Sequence, residues 1–144
     1  MPLAALRPML ETVMTLRILL VDDSRVFAVT AMRALDALPG AAVVGVAHDG
    51  CDALAQAALL QPDLMLLDIG LPDMSGLEVA RRLRMGSHVP RMVFVSFHDS
   101  SVYREAALAL GAEGFIGKTD FTAKLLPMVR RMAALAATQD EAIG

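Results

Sequence analysis

The stretch LLVDDSR, residues 19–25, joins an apolar segment directly to two adjacent aspartates. The apolar part belongs to LRILLV, residues 16–21, whose nearly continuous hydrophobicity predicts a strand buried in a protein core. Two neighbouring carboxylates at the end of such a strand repel each other, and burial makes the repulsion more costly. Their position has two explanations: they cap the helix that follows, or they face a cation.

Apolar runs of strand length alternate with helix-like stretches along the rest of the chain. The predicted strands are residues 16–21, 42–47, 63–68, 91–96 and 113–117, and the predicted helices are residues 25–38, 51–60, 77–84, 100–110 and 122–135. The strands are continuously apolar rather than alternating, as expected when helices cover both faces of a parallel sheet. The pattern therefore predicts an α/β fold with one doubly wound parallel sheet.

The composition favours one globular domain in a reducing compartment. The chain has 144 residues, 56% of them hydrophobic, which suffices for one core and excludes a disordered segment. The net charge of −3 and the lack of a basic block argue against non-specific binding of nucleic acid. Cys51 is the single cysteine and has no partner for an internal disulfide, and no apolar run reaches the length of a membrane span. We therefore expect a cytoplasmic protein without membrane contact.

Both ends of the chain lie outside the alternating pattern. We expect residues 1–14 to be an N-terminal extension, residues 15–135 to form the domain, and residues 136–144 to be a frayed tail. Met14 is an alternative start. We expect no signal peptide, because the apolar beginning is interrupted and no small-residue cleavage site follows it.

Polar residues follow four of the five predicted strands. Asp22 and Asp23 come after the first strand and Asp68 ends the third. Ser96 ends the fourth strand and Lys118 follows the fifth. Right-handed crossovers bring the carboxyl ends of parallel strands to one edge of the sheet, where ligands of such folds bind. We therefore expect three carboxylates, one hydroxyl and one ammonium group to meet at this edge.

Three carboxylates in one place repel one another unless a cation lies among them. Oxygen ligands without a neighbouring histidine or cysteine favour a hard ion, and a small open site favours Mg²⁺. A metal ion together with a lysine forms a clamp for a phosphoryl group. One carboxylate can then act as the nucleophile and become an aspartyl phosphate.

Four segments resemble, in order, segments of the receiver domain of two-component response regulators. They are LLVDDS at residues 19–24, DLMLLDIGLPDMSGLE at 63–78, VFVSFHD at 93–99 and GAEGFIGK at 111–118. The resemblance covers roughly residues 15–135 and is carried by four motifs in register. It implies a CheY-like, flavodoxin-like fold with five parallel strands in the order 2-1-3-4-5 and five helices, used in phosphorelay signal transduction.

The resemblance implies a site for Mg²⁺ beside a carboxylate that is phosphorylated. Asp68 is expected to be the phosphoacceptor and a metal ligand. Asp23 is expected to bind Mg²⁺ directly, Asp22 to assist through water, and the Gly70 carbonyl to supply a backbone ligand.

The resemblance also implies a switch that responds to phosphorylation. Ser96 is expected to hydrogen-bond the phosphoryl group, and Lys118 to pair with one of its oxygens. Phe115 is expected to move inward as Ser96 moves toward the phosphate. The alternative for Phe115 is an ordinary core residue, which is the usual role of an aromatic residue on a strand.

Two positions depart from the pattern of the family, and a proline is unusual within the last predicted helix. Thr119 occupies a position where many receivers have a proline after a cis peptide bond, so we expect a trans peptide there. Phe97 lies beside the expected site where receivers usually carry a small residue, and we expect its ring to slow dephosphorylation. Pro127 falls inside the last predicted helix; a helix that begins near Asp120 would be kinked there, and one that begins near Thr122 would lose little.

As a receiver, the chain is expected to take its phosphoryl group from a histidine kinase or a phosphotransfer protein, as a substrate rather than an enzyme. The expected output is a partner protein, with a homodimer through the fourth helix, fifth strand and fifth helix as one assembly, and no direct binding of nucleic acid by this domain. The alternatives are the receiver part of a DNA-binding regulator with a helix-turn-helix domain, a pseudo-receiver that only mediates contacts, and an enzyme of the haloacid-dehalogenase type. The last type carries its second aspartate two residues after the nucleophile, whereas Asp22 and Asp23 are adjacent.

Overall fold

Five strands form one parallel sheet in the computed structural model, which describes residues 15–97 and 100–143. The strands are β1 (Leu16–Val21), β2 (Ala41–Ala47), β3 (Leu64–Leu67), β4 (Arg91–Ser96) and β5 (Gly114–Gly117). They pair in the order β2-β1-β3-β4-β5, and all four pairings are parallel. This topology confirms the predicted doubly wound, flavodoxin-like sheet.

Helices connect the strands and cover both faces of the sheet. They are α1 (Arg25–Asp36), α2 (Gly50–Leu60), α3 (Gly76–Arg84), α4 (Ser101–Ala109) and α5 (Leu126–Ile143), with a 3₁₀ turn (Lys118–Asp120) and a π-helical turn (Phe121–Leu125) before α5. The first three begin after Ser24, Asp49 and Ser75, whose side chains each accept a hydrogen bond from a backbone N–H of the first turn. Within the described residues, no helix combines the length and the apolar character needed to cross a bilayer.

Alternate side chains of the strands build two separate cores, one on each face of the sheet. Ile18 and Leu20 of β1 belong to the core under α1 and α5, whereas Leu19 and Val21 belong to the core under α2, α3 and α4. All four side chains are at most 2% exposed. The strand is therefore apolar at nearly every position because both of its faces are covered by helices.

The C-terminal helix corrects the expectation for the end of the chain. Helix α5 continues to Ile143, through residues that were expected to form a frayed tail from position 136. Half of residues 133–142 are alanine, the others are leucine, threonine, glutamine, aspartate and glutamate, and none is glycine or proline. Alanine, leucine, glutamine and glutamate favour a helix, and no helix-breaking residue stops it. The expected extension of residues 1–14 lies outside the described part of the chain.

The approach to α5 is also irregular in a way that the sequence did not predict. Helical structure begins at Lys118, before the predicted start at 122, and Pro127 is the second residue of α5. A proline cannot donate to the carbonyl four positions earlier, and its ring crowds that carbonyl. The wider π-helical turn directly before α5 accommodates this loss. The peptide bond before Thr119 is trans, as predicted, since the described residues contain no cis peptide bond.

Candidate functional site

The carboxyl ends of β1 and β3 place two aspartates side by side. The Asp22 N–H donates to the Ala47 carbonyl and the Asp68 N–H donates to the Val21 carbonyl, both at 2.9 Å. The sheet hydrogen bonding therefore continues one residue beyond each strand and fixes both aspartates at the same level. Both are buried, Asp22 at 1% and Asp68 at 7% exposure. Their proximity is thus set by the sheet itself rather than by a loop.

Lys118 reaches the same place from the end of β5. Its Nζ lies 2.6 Å from Asp22 Oδ2 and 3.2 Å from Asp68 Oδ2, and its side chain is 2% exposed. A buried ammonium group needs such partners, because an unpaired charge in the interior is very unfavourable. Ser96 pairs with Gly117 in the sheet register, so Lys118 is the next residue along the edge. The predicted meeting of Asp22, Asp68 and Lys118 is therefore what the structure contains.

Asp23 completes a cluster of three carboxylates. One oxygen from each of Asp22, Asp23 and Asp68 lies within 4.8 Å of the others. Asp23 is exposed while the other two are buried, so the cluster opens to solvent on the side of Asp23. The single ammonium group of Lys118 does not balance three negative charges, and a small cation that prefers oxygen ligands fits this arrangement.

The N-cap of α1 is Ser24 and neither of the two aspartates. The Ser24 hydroxyl caps α1 by accepting a hydrogen bond from the Phe27 N–H at 3.3 Å. Asp22 instead has its Oδ1 bound by the Ser24 N–H at 2.8 Å and its Oδ2 bound by Lys118. Both Asp22 oxygens are therefore held by protein donors, whereas Asp23 remains exposed.

The surroundings of Asp68 include some groups that raise its pKa and others that lower it. Burial raises the pKa of Asp68 above its ordinary value of 3.8, and the charge of Asp22 raises it further. The Lys118 ammonium and a hydrogen bond from the Gly70 N–H lower it by less, so the net direction is upward. A cation beside Asp68 would therefore favour the ionised, nucleophilic form of this carboxyl group.

Gly70 and Ser96 lie on the two segments that adjoin Asp68. The Gly70 N–H donates to Asp68 Oδ1 at 3.3 Å. Ser96 is the last residue of β4 and is 1% exposed, and β4 pairs with β3 through Leu67 and Phe94. The roles of the Gly70 carbonyl as a metal ligand and of Ser96 as a switch stay predictions.

Phe115 is packed into the core. Its side chain belongs to the core under α2, α3 and α4 and is 6% exposed. The Arg104 guanidinium of α4 lies 4.8 Å from the ring centroid, and its Nη1 donates to the Phe115 carbonyl at 3.0 Å. The ring is therefore already directed inward and covered by Arg104. Its movement as a switch stays a prediction.

Gly76 is a residue of the site that the sequence reasoning does not single out. A Cβ atom at this position would lie 2.0 Å from the Asp68 carbonyl oxygen, and the Gly76 N–H donates to the Ile69 carbonyl at 2.8 Å. The absence of a side chain therefore lets α3 begin directly against the backbone of Asp68. The sequence signal is the glycine that closes the loop LPDMSG, residues 71–76.

Two further links to the site also come from distant parts of the sequence. The Asp73 carboxylate accepts hydrogen bonds from the N–H groups of Gly50 at 2.7 Å and Cys51 at 2.8 Å, which lower the pKa of Asp73 below its usual value. The loop after β3 is thereby tied to the beginning of α2. His48 Nδ1 donates to the Asp22 carbonyl at 2.8 Å, so the loop after β2 supports the first aspartate.

The fold and this edge define a doubly wound α/β protein whose ligand site lies at the carboxyl ends of its strands. The family model of the response regulator receiver domain matches residues 18–130. The chain belongs to this family, as the four sequence motifs predicted.

The curated relatives are longer proteins that share this domain. The chain is 39% identical over 110 residues to protein-glutamate methylesterase/protein-glutamine glutaminase 5 of Myxococcus xanthus, which covers 76% of this chain and 32% of that protein. It is 35% identical over 132 residues to the transcriptional regulatory protein TrcR of Mycobacterium tuberculosis, which covers 89% of this chain and 51% of that protein. The chain thus spans about a third of the first relative and about half of the second.

Solved structures agree with this assignment. A crystal structure of a two-component response regulator of the LuxR family from Aurantimonas sp. superimposes with a TM-score of 0.77 at 30% sequence identity. The superposition covers 83% of this chain and 86% of that chain. The similarity supports both the sheet order and the family membership.

Proposed function

We propose that this receiver accepts a phosphoryl group on Asp68 and changes its affinity for an output partner in response. The donor is a histidine kinase or a phosphotransfer protein carrying phosphohistidine. The observation that carries the proposal is the buried Lys118 ammonium, which contacts both Asp68 and Asp22. A carboxylate nucleophile and a fixed positive charge in one place are the parts that phosphoryl transfer requires.

Mg²⁺ fits the carboxylate cluster in ligand type and in charge. Asp23 and Asp68 would hold the ion directly, with the Gly70 carbonyl as a backbone ligand. Asp22 would act through water, because the Ser24 N–H at 2.8 Å and Lys118 Nζ at 2.6 Å hold its oxygens more closely than the contacts of 3.3 and 3.2 Å hold those of Asp68. The ion supplies charge neutralisation between the nucleophile and the phosphoryl oxygens when it is bound. The pKa of Asp68 is raised first by burial and then by the charge of Asp22, and a bound cation would offset both effects.

The transfer is a displacement at phosphorus. An Asp68 carboxylate oxygen forms the new P–O bond while the P–N bond of phosphohistidine breaks. The imidazole leaves with the electron pair of that bond and takes up a proton from solvent. Lys118 Nζ then pairs with a phosphoryl oxygen, and this contact replaces part of its present contact with the two carboxylates.

The output would follow from a shift between two populated states of the domain. The Ser96 hydroxyl would move toward a phosphoryl oxygen and donate a hydrogen bond to it. Phe115 would move inward in response, and this would change the surface formed by α4, β5 and α5. Val102, Tyr103 and Leu108 of α4 are exposed on the molecule. We expect a homodimer or another partner protein to bind this surface. Since Asp68 is consumed as an acceptor, we infer that the domain is a signalling substrate and not an enzyme.

The direct test is labelling by acetyl phosphate in the presence of Mg²⁺. Asp68→Asn should abolish labelling, because the amide lacks the nucleophilic oxygen anion. Asp63→Asn is a matched control, because Asp63 precedes the same strand at its opposite end and accepts a hydrogen bond from the Arg17 N–H. The control should label like the parent. Labelling of Asp68→Asn at the parental level would assign the phosphoryl group to another residue and contradict the proposal.

A further inference from the structure

Two aromatic rings contact the Lys118 ammonium in addition to its carboxylate partners. Nζ lies 4.7 Å from the centroid of the Phe27 ring and 4.7 Å from the centroid of the Phe97 ring. Both distances are within the range of cation–π interactions, which extends to about 6 Å. The two rings also meet edge to face, with their centroids 6.4 Å apart.

The two rings are held in different ways. Phe27 lies in the first turn of α1 and packs edge to face against the buried Phe121, with centroids 5.6 Å apart. It is therefore attached to the core. Phe97 directly follows β4 and is 66% exposed, so burial of apolar area contributes little to its placement. Its ring contacts the Lys118 ammonium and the Phe27 ring.

A ring and a carboxylate hold an ammonium group with different consequences. A carboxylate neutralises the ammonium charge and occupies one of its N–H donors. The negative face of an aromatic ring attracts the ammonium group without neutralising its charge. Lysine carries its charge on a flexible four-carbon stem, which has to be ordered for the ammonium to act at one point. Rings on Lys118 therefore order it while its charge stays available to a phosphoryl oxygen.

We propose that Phe27 and Phe97 are positioning residues, whose rings hold Lys118 beside the phosphoacceptor through cation–π contacts. This inference rests on the proposed phosphorylation of Asp68. It also gives a physical reason for a bulky residue at position 97. The aromatic ring, and not only its bulk, is the feature that matters at this position.

The chain offers a clean spectroscopic test, because Lys118 and Lys124 are its only lysines. Selective isotope labelling of lysine gives two sets of side-chain signals in NMR spectra. Lys124 is the internal control, since its side chain is 66% exposed and its partner in the structure is Asp120 at 3.5 Å. The Lys118 side-chain protons should be shifted by the ring currents, and those of Lys124 should not.

Three variants separate the effect of the aromatic ring from the effect of side-chain size. Phe97→Leu keeps an apolar side chain and removes the ring, Phe97→Tyr keeps the ring, and Phe27→Leu removes the second ring. In Phe97→Leu the Lys118 signals should move toward those of Lys124. The rate constant for phosphorylation by acetyl phosphate should fall roughly two- to fivefold, the equivalent of one cation–π contact made by a largely exposed ring. Phe97→Tyr should retain both the shifts and the rate. Phe27→Leu should reproduce the effects of Phe97→Leu.

Two results would overturn the inference. Lys118 signals that stay at their parental positions in Phe97→Leu would show that the ring does not hold the ammonium. Signals that move without any change in rate would show that the ring contact does not position Lys118 for the reaction. If the proposed function is wrong, the parent itself will not be labelled by acetyl phosphate, and this result differs from both of those above. The lysine spectra alone would then decide whether the rings hold Lys118.

Discussion

At the scale of single residues, Asp68 shows the conflict between folding and function. It lies in a buried position beside another carboxylate, and both circumstances disfavour its charge. In the proposed function, the carboxyl group must nevertheless be ionised to attack phosphorus. Lys118 offsets part of this cost, and its position is maintained by ion pairs and by the rings of Phe27 and Phe97.

We expect Asp68→Asn to make the metal-free domain more stable at neutral pH. The amide is uncharged, so the variant loses the repulsion by Asp22 and the cost of burying a charge, while its oxygen can still accept from Lys118. Changes that relieve unfavourable charge commonly stabilise a domain by roughly 0.5–2 kcal/mol. Urea unfolding with chelator present measures the difference. An unfolding free energy equal to or below that of the parent would contradict the expectation.

The pH dependence of that difference follows from the raised pKa of Asp68. The Asp68 carboxyl group ionises less readily in the folded state than in the unfolded state, where its pKa is the ordinary 3.8. The folded state therefore loses stability as pH rises from 3.8 through the folded pKa. The advantage of Asp68→Asn should therefore be full above the folded pKa, decrease as pH falls below it, and vanish below 3.8. The same unfolding measurement, repeated from neutral to acidic pH, tests this sign. Asp63→Asn serves as the control.

At the scale of elements, the loop from β3 to α3 holds the site through backbone geometry. Gly70 lies within this loop and Gly76 is the first residue of α3, and the two glycines have different surroundings. A Cβ on Gly70 would meet no atom within 4 Å, whereas a Cβ on Gly76 would meet the Asp68 carbonyl oxygen at 2.0 Å. The oxygen belongs to the backbone of the sheet, so it cannot move aside as a flexible side chain would.

We therefore expect Gly76→Ala and Gly70→Ala to differ sharply in stability. Gly76→Ala should lower the free energy of unfolding by about 3 kcal/mol or more, the upper end of the cost of overpacking. Gly70→Ala is the matched control and should unfold close to the parent, because its backbone needs no positive φ and the added methyl group has space. Thermal and urea unfolding of both variants measure the difference. Equal stabilities would show that α3 does not depend on this close approach.

At the scale of the whole molecule, the site joins segments that follow three different strands to the first helix. Carboxylates from β1 and β3 and the ammonium group after β5 meet at one edge, and α1 contributes the Phe27 ring. A ligand that binds this edge only in the folded state stabilises the entire domain by mass action. Metal binding can therefore be followed by thermal unfolding without any phosphorylation.

We expect Mg²⁺ to raise the unfolding temperature of the parent and EDTA to reverse the effect. At ten times the dissociation constant the ion should stabilise the fold by about 1.4 kcal/mol, which corresponds to a rise of roughly 4 °C in Tm for a domain of this size. Asp23→Asn should remove most of this rise, because it changes the exposed ligand of the cluster, and Asp63→Asn should retain it. A rise of the same size in Asp23→Asn would exclude Asp23 as a principal ligand.

The sequence by itself determined the order and type of the elements and the polar composition of the site. Strands buried on both faces are apolar at nearly every position, so their ends are visible as the points where charge begins, as at Asp22 and Asp68. Parallel strands end at one edge, so residues 118 and 68 can be assigned to the same place from their position after a strand. The strand order 2-1-3-4-5 came from the resemblance and not from the pattern of hydrophobicity.

Only the tertiary structure decided which atoms touch at that edge. The contact of Lys118 with Phe27 and Phe97, and the approach of Gly76 to the Asp68 carbonyl, join segments that are far apart in the sequence. Local patterns carry no information about such distances, since they depend on how helices pack on the sheet and on side-chain rotamers. Local composition was also insufficient for the final helix, where the expected tail from residue 136 proved to be part of α5. The sequence thus identified polar residues that meet at the site, and the packing of distant segments determined its geometry.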